Sequence, residues 1–129
     1  MFSVNGPIAL TAGSSATLTT RNVSSDCFTS SYGNVLFRRS GVYYAALTVD
    51  IPENSVVDTT VKLDLDGQEI VPSAINVTTT SDSASDNFAG HAVFRAEEGS
   101  VLKIVSKDAM TVNQATATPL FTLTLVRID

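Results

Sequence analysis

The sequence predicts an all-β sandwich, and three observations predict it. No segment shows the apolar period of a helix, several short β-prone runs are spaced by turn residues, and the run 41–51 is apolar on both of its faces. That run is the centre of the fold. Tyr43, Ala45, Leu47, Val49 and Ile51 share one side at period two, while Val42, Tyr44, Ala46 and Thr48 share the other, and no charge appears until Asp50. Both sides are candidates for burial, one under the domain's second sheet and the other under another copy of the chain.

The remaining elements follow from turn chemistry and alternation. Residues 1–22 are small and polar, with Gly6-Pro7 and Gly13-Ser14-Ser15 as punctuation, and they read as an N-terminal arm or edge hairpin preceding a single domain over 23–129. An arm reaching a neighbouring subunit and a frayed terminus both fit this segment. Residues 23–33 read as a loop carrying Cys27, Phe28 and Tyr32, and 34–38 as a strand that Arg39-Ser40-Gly41 turns into the central one. Pro52 ends the central strand because it has no N–H for a continuing ladder.

Val61, Leu63 and Leu65 then alternate with Lys62, Asp64 and Asp66, the pattern of a strand with one wet face. Asp66-Gly67 supplies a tight hairpin turn into Glu69-Ile70-Val71, and a strand broken at Pro72 continues through Ala74 to Val77. Residues 78–86 form a Thr, Ser and Asp loop, and 88–96 return to the sheet with Ala92, Phe94 and Ala96 on one side and His91, Val93 and Arg95 on the other. A strand at 101–105 follows, then a polar connection over 106–118 in which Met110 and Val112 are the apolar exceptions, then a closing strand over 120–128.

The second faces of these strands differ. Lys62, Asp64, Asp66 and Lys103 mark one sheet as hydrated, whereas Val42, Tyr44, Ala46 and Thr48, with the closing strand, mark the other as drier. A dry face spanning several strands exceeds what soluble monomers usually expose, so subunit contact is expected there. The residues assigned to that contact are Val42, Tyr44, Ala46, Thr48, Leu120, Phe121, Leu123, Leu125 and Val126.

Composition bounds the function. A chain of 129 residues with 43% apolar and 16% charged residues suits one folded domain, and no apolar run is long enough to suggest a membrane partner. A net charge of -5 gives no support to phosphate binding, so nucleic acid is not an expected partner. Cys27 is the only cysteine, which leaves no internal disulfide and fits synthesis in a reducing cytoplasm. Residues 1–10 lack a basic segment followed by an apolar one, so no secretory signal is expected, although a processed chain reads the same way. The sequons at Asn22 and Asn76 are read as chance in a Ser/Thr-rich β protein.

The order of features resembles the jelly-roll trimers of the tumour necrosis factor and complement globular-head superfamily. Gly41-Val42-Tyr43-Tyr44 is similar to that family's glycine-aromatic central strand and Leu65-Asp66-Gly67-Gln68 to its short hairpin; 96–102 resembles its acidic-glycine entry to the penultimate strand and 121–125 its closing strand. The resemblance implies a jelly-roll sandwich of about ten strands in two antiparallel sheets, trimerising about an axis lined by the central and closing strands. No collagen-like stalk is present, and no receptor-binding loop carries over. More loosely, the short acidic form and the opening at 8–13 resemble phage head-decoration and head-fibre proteins. That resemblance implies a virion protein on the capsid surface, assembled in the host cytoplasm. Its partners would be itself and the major capsid protein, with Ile8, Leu10 and Leu18 as a capsid-docking arm. A fibre-tip or bacterial-surface module binding host glycan or receptor is the alternative.

No catalytic site and no cofactor is expected. His91 is the lone histidine, and Arg95 and Glu97 on its strand face account for it as a polar contact; Cys27 has no basic neighbour nearer than Arg21. Asp64 and Asp66 share a face and are the one weak candidate for Ca²⁺, with Asp50 or Glu69, against the alternative of a solvated strand. Neither 78–86 nor 106–118 carries an aromatic residue on which a sugar would stack.

Overall fold

The computed structural model describes residues 2–4, 8–20, 26–53, 55–70, 73–79, 86–112 and 120–129. The strands are β1 (Phe2–Val4), β2 (Ile8–Leu10), β3 (Thr19–Thr20), β4 (Phe28–Ser31), β5 (Asn34–Phe37), β6 (Gly41–Ile51), β7 (Asp58–Leu65), β8 (Gln68–Glu69), β9 (Ile75–Thr78), β10 (Asp86–Ala96), β11 (Val101–Ser106), β12 (Met110–Val112) and β13 (Phe121–Arg127). All described pairings are antiparallel. One sheet runs β10-β6-β13-β1-β3; the other runs β4-β5-β11-β7-β8, with β9 also on β7, and β12 pairs β2 as a small third sheet.

The alternation in β6 is realised fully. Tyr43, Ala45, Leu47, Val49 and Ile51 are all buried between the sheets, where Val61, Leu63, Leu102 and Ile104 of β7 and β11 meet them in one core. At one end an aromatic cluster fills the space. The Phe37 and Tyr43 rings lie 4.6 Å apart edge to face, with Phe28 and Phe94 packed around them. The Tyr43 hydroxyl donates to the Arg39 carbonyl at 2.6 Å, so the buried phenol is satisfied.

Two hairpins share one turn chemistry. Asp66-Gly67 joins β7 to β8 with φ of 53° and 87°, and Tyr32-Gly33 joins β4 to β5 with φ of 50° and 77°. Positive φ at both central residues matches the right-handed twist of the flanking strands. The first turn is the expected one. The second overturns the loop reading of 23–33, because Phe28 is buried and 28–31 form an edge strand.

The N-terminal segment also departs from expectation. Its described residues are woven into the sandwich instead of forming a separate arm: β1 lies between β13 and β3, β2 pairs with β12, and Ser15 bridges Val105. Burial drives this, since Phe2, Val4, Ala16 and Leu18 all enter the core. Met110 and Val112, read as exceptions in a polar connection, are the buried residues of β12. The loop reading of 78–86 falls mostly outside the described residues, as does that of 113–118.

Candidate functional site

The outer face of the β10-β6-β13 layer is the feature that the described residues leave uncovered. Its register aligns His91 with Ala46 and Thr124, Val93 with Tyr44 and Val126, and Ala89 with Thr48 and Thr122. Because side chains alternate, all these residues stand on the side opposite the core. Val93 is 59% exposed, Val126 48% and Tyr44 36%, a concentration of large apolar surface on one sheet.

The face is shaped as well as apolar. Small residues at Ala46, Ala89 and Gly90 floor a hollow of about 350 Å³, bordered by Tyr44, Thr48 and His91. The Tyr44 and His91 rings lie 6.1 Å apart, inclined at 46°. Among the described residues, charges on this face lie towards the ends of the layer. Asn87 donates to the Asp50 carboxylate at one end, and Arg95 pairs with Glu97 at 3.0 Å at the other.

The opposite broadside of the sandwich is hydrated. Lys103 stands across from Asp64 in the ladder, and Lys62 lies 3.8 Å from Glu69. The division into a wet and a dry sheet is therefore visible in the protomer.

Individual assignments divide by parity. Val42, Tyr44, Ala46, Thr48 and Val126 stand on the outer face, the first four from β6 and the last from β13. Leu120, Phe121, Leu123 and Leu125 do not: they are 0–6% exposed within the protomer and complete its own core, so they are unavailable to a neighbour. Leu18 is likewise buried, and Ile8 and Leu10 pack against the core, which removes all three as a free docking arm. His91 and Val93 belong to the face and were not assigned to it. Their outward parity is legible in the sequence, but their adjacency to β6 and β13 depends on the pairing of distant strands.

The carboxylates proposed for Ca²⁺ are occupied by backbone. Asp64 Oδ1 accepts the Gly67 N–H at 2.8 Å, and Asp66 Oδ1 accepts the Val101 N–H at 2.9 Å. Asp50 sits on the other sheet. Among the described residues no group of three or more His, Cys, Asp or Glu side chains converges on a metal position.

Titration marks structural positions. Burial pushes the Tyr43 phenol up, with the neighbouring Cys27 adding to the effect. A hydrogen bond from Ser40, then the Arg95 partnership, holds Glu97 below the usual carboxylate range. Arg95 is thus engaged by Glu97, and the neighbour of His91 is the Tyr44 ring instead of these two charges.

No protein-family model and no curated protein sequence matches the chain. Among solved structures, murine APRIL, crystallised at pH 5.0, superposes with a TM-score of 0.70 at 13% identity, over 99% of this chain and 100% of that one. The fold is a TNF-like jelly roll. At that identity the likeness concerns architecture, and the chemistry of the outer face is this chain's own.

Proposed function

We propose that the chain is a non-enzymatic structural protein that assembles as a homotrimer through the outer face of the β10-β6-β13 layer, and that the trimer decorates a phage capsid. The observation that carries the reading is the apolar, centrally uncharged face with Tyr44, Val93 and Val126 exposed together. A second copy fits it best. The face holds both projecting side chains and a hollow floored by Ala46, Ala89 and Gly90, so one copy can lodge its projections in the hollow of the next, the head-to-tail contact that closes into a ring. The resemblance to trimeric jelly rolls favours the same strands, β6 and β13. The capsid assignment rests on the looser resemblance to head-decoration proteins and on the small acidic form. A non-catalytic role is supported by the settings of the two usual reactive groups: His91 lies beside a tyrosine ring, and Cys27 is half-buried near Tyr43.

Light scattering at micromolar protomer concentration tests the assembly. The wild type is expected at three protomers and Tyr44→Asp at one, because a charge without a partner is costly in a dry contact. A monomeric wild type overturns the trimer. Purified virions of the phage that carries the gene test the location, and their lacking the protein overturns the decoration role.

One observation favours the alternative of a glycan- or receptor-binding module. Tyr32 stands fully exposed at the tip of the β4–β5 hairpin, an aromatic ring available for stacking on a sugar. A glycan array separates the readings: reproducible binding that Tyr32→Ala abolishes moves the assignment to recognition.

A further inference from the structure

His91 lies in the part of the outer face that carries no fixed charge. It is exposed, stands in register with Ala46 and Thr124, and has the Tyr44 ring 6.1 Å away. The groups facing this region can be named for each element. On β10 they are Asn87 and Arg95, the latter paired with Glu97; on β6 they are Tyr44 and Asp50; on β13 they are Thr122, Thr124 and Val126, none of them titratable at neutral pH. Arg127, at the end of β13, is turned to the Ser40 carbonyl at 3.0 Å. β9 also packs on β10, through Ile75 beneath Gly90, and brings no titratable side chain. Asp50 is four residues along β6 from Ala46, about 13 Å at ~3.3 Å per residue, which exceeds the ~8 Å Debye length of physiological salt. No described carboxylate of the same protomer is placed to compensate a charge on His91.

We propose that His91 makes self-association pH-sensitive: the neutral imidazole is enclosed between copies of the chain, and its protonation releases them. This rests on the self-association proposed above. Enclosing a neutral imidazole costs less, because it carries no charge to be taken out of water. Enclosing an imidazolium costs much more, because the described residues of the face supply no counter-charge beside it and each copy brings a further positive charge to the same neutral surface. The dissociated protomer takes up the proton that the assembly excludes, so mass action favours dissociation as the pH falls. Histidine is the side chain suited to this, since imidazole gains its proton between pH 8 and 5.

Sedimentation equilibrium of the full chain at pH 7.5 and 5.0, on the wild type and on His91→Gln, tests the proposal. One proton per protomer is expected to lower the wild-type association constant ~10-fold or more for each protomer across that interval. His91→Gln keeps a polar side chain that cannot charge, and is expected to remain assembled at both values. Far-UV circular dichroism confirms that each species is folded. A wild type that is monomeric at pH 7.5 overturns the self-association itself. A wild type equally assembled at both pH values overturns the switch and leaves the assembly standing. A His91→Gln variant that dissociates as the wild type does assigns the effect to another group and also overturns the proposal. For any variant that misfolds, proton uptake during wild-type dissociation, measured by calorimetry in two buffers, decides: about one proton per protomer supports the role of His91, and none refutes it.

Discussion

Leu123 and Thr124 are adjacent in β13, yet the fold gives them opposite surroundings, and substituting each with alanine tests the parity on which the outer face depends. Leu123 is 0% exposed, between Leu47 and Phe2 on the neighbouring strands, whereas Thr124 stands on the outer side beside Ala46. Removing three carbons from a site with no route to solvent loses their transfer energy and leaves a cavity, together about 3–5 kcal/mol. Thr124→Ala opens no internal cavity and should change stability by less than ~0.5 kcal/mol. With an unfolding entropy of ~2.1 cal/mol/K per residue, the 129-residue chain has about 270 cal/mol/K, so a loss of ~3 kcal/mol lowers Tm by about 11 °C. Urea unfolding at one protomer concentration, followed by tyrosine fluorescence and circular dichroism, gives both free energies, and the fixed concentration keeps dilution from adding to the difference. Equal losses for the two variants, or a loss below ~1 kcal/mol for Leu123→Ala, would refute the assignment of β13 faces.

Three further outcomes are expected. A Cβ on residue 90 falls 2.8 Å from Ile75 Cγ1 and 3.3 Å from the Ser73 carbonyl oxygen, so Gly90→Val should cost about 1–3 kcal/mol in urea unfolding. Millimolar Ca²⁺ should leave the thermal midpoint unchanged because Asp64 and Asp66 are engaged with backbone; Asp66→Ala should lower stability by about 1–2 kcal/mol, losing the Val101 N–H acceptor and a residue tolerant of positive φ. The raised Tyr43 titration means that the folded state holds this proton more tightly than the unfolded chain. Its contribution is complete below the unfolded value near 10 and is lost as pH rises through the higher folded value, so stability should fall in alkali, with a smaller slope in Tyr43→Phe.

Local chemistry made much of the sandwich legible in the sequence. The 41–51 strand, the Asp66-Gly67 hairpin and the 88–96, 101–105 and closing strands all announced themselves by alternation bounded by Gly or Pro. What escaped was structure whose purpose is set by distant partners. Tyr32-Gly33 is a hairpin turn despite a bulky residue at positive φ, because β5 gives β4 an edge to pair with. Two polar side chains flanking β9 are buried fasteners. Ser73 Oγ donates to the Ile70 carbonyl and accepts the Leu63 N–H, while Thr79 Oγ1 donates to the Ser55 carbonyl and accepts the Val57 N–H, tying the flanks of β9 to the β7 side of the sheet. Composition marks such residues as hydrophilic; only the fold reveals that their hydrogen bonds are internal.

The closing strand shows where a single chain's pattern stops being decisive. Phe121, Leu123 and Leu125 alternate with Thr122, Thr124 and Val126, so parity separates the two sets, but hydrophobicity alone admits both to a subunit contact. Burial resolves the ambiguity, because a side chain fully enclosed in the protomer has no apolar surface left to give a neighbour. Surface available for association must come from the other parity, where threonine and alanine on β13, β6 and β10 keep the middle of the face uncharged while Tyr44, Val93 and Val126 project from it. A solvated strand face gains solubility from lysine and glutamate, as β7 and β11 show with Lys62, Asp64 and Lys103. Their absence from β10, β6 and β13 is the physical reason for proposing a contact on that face.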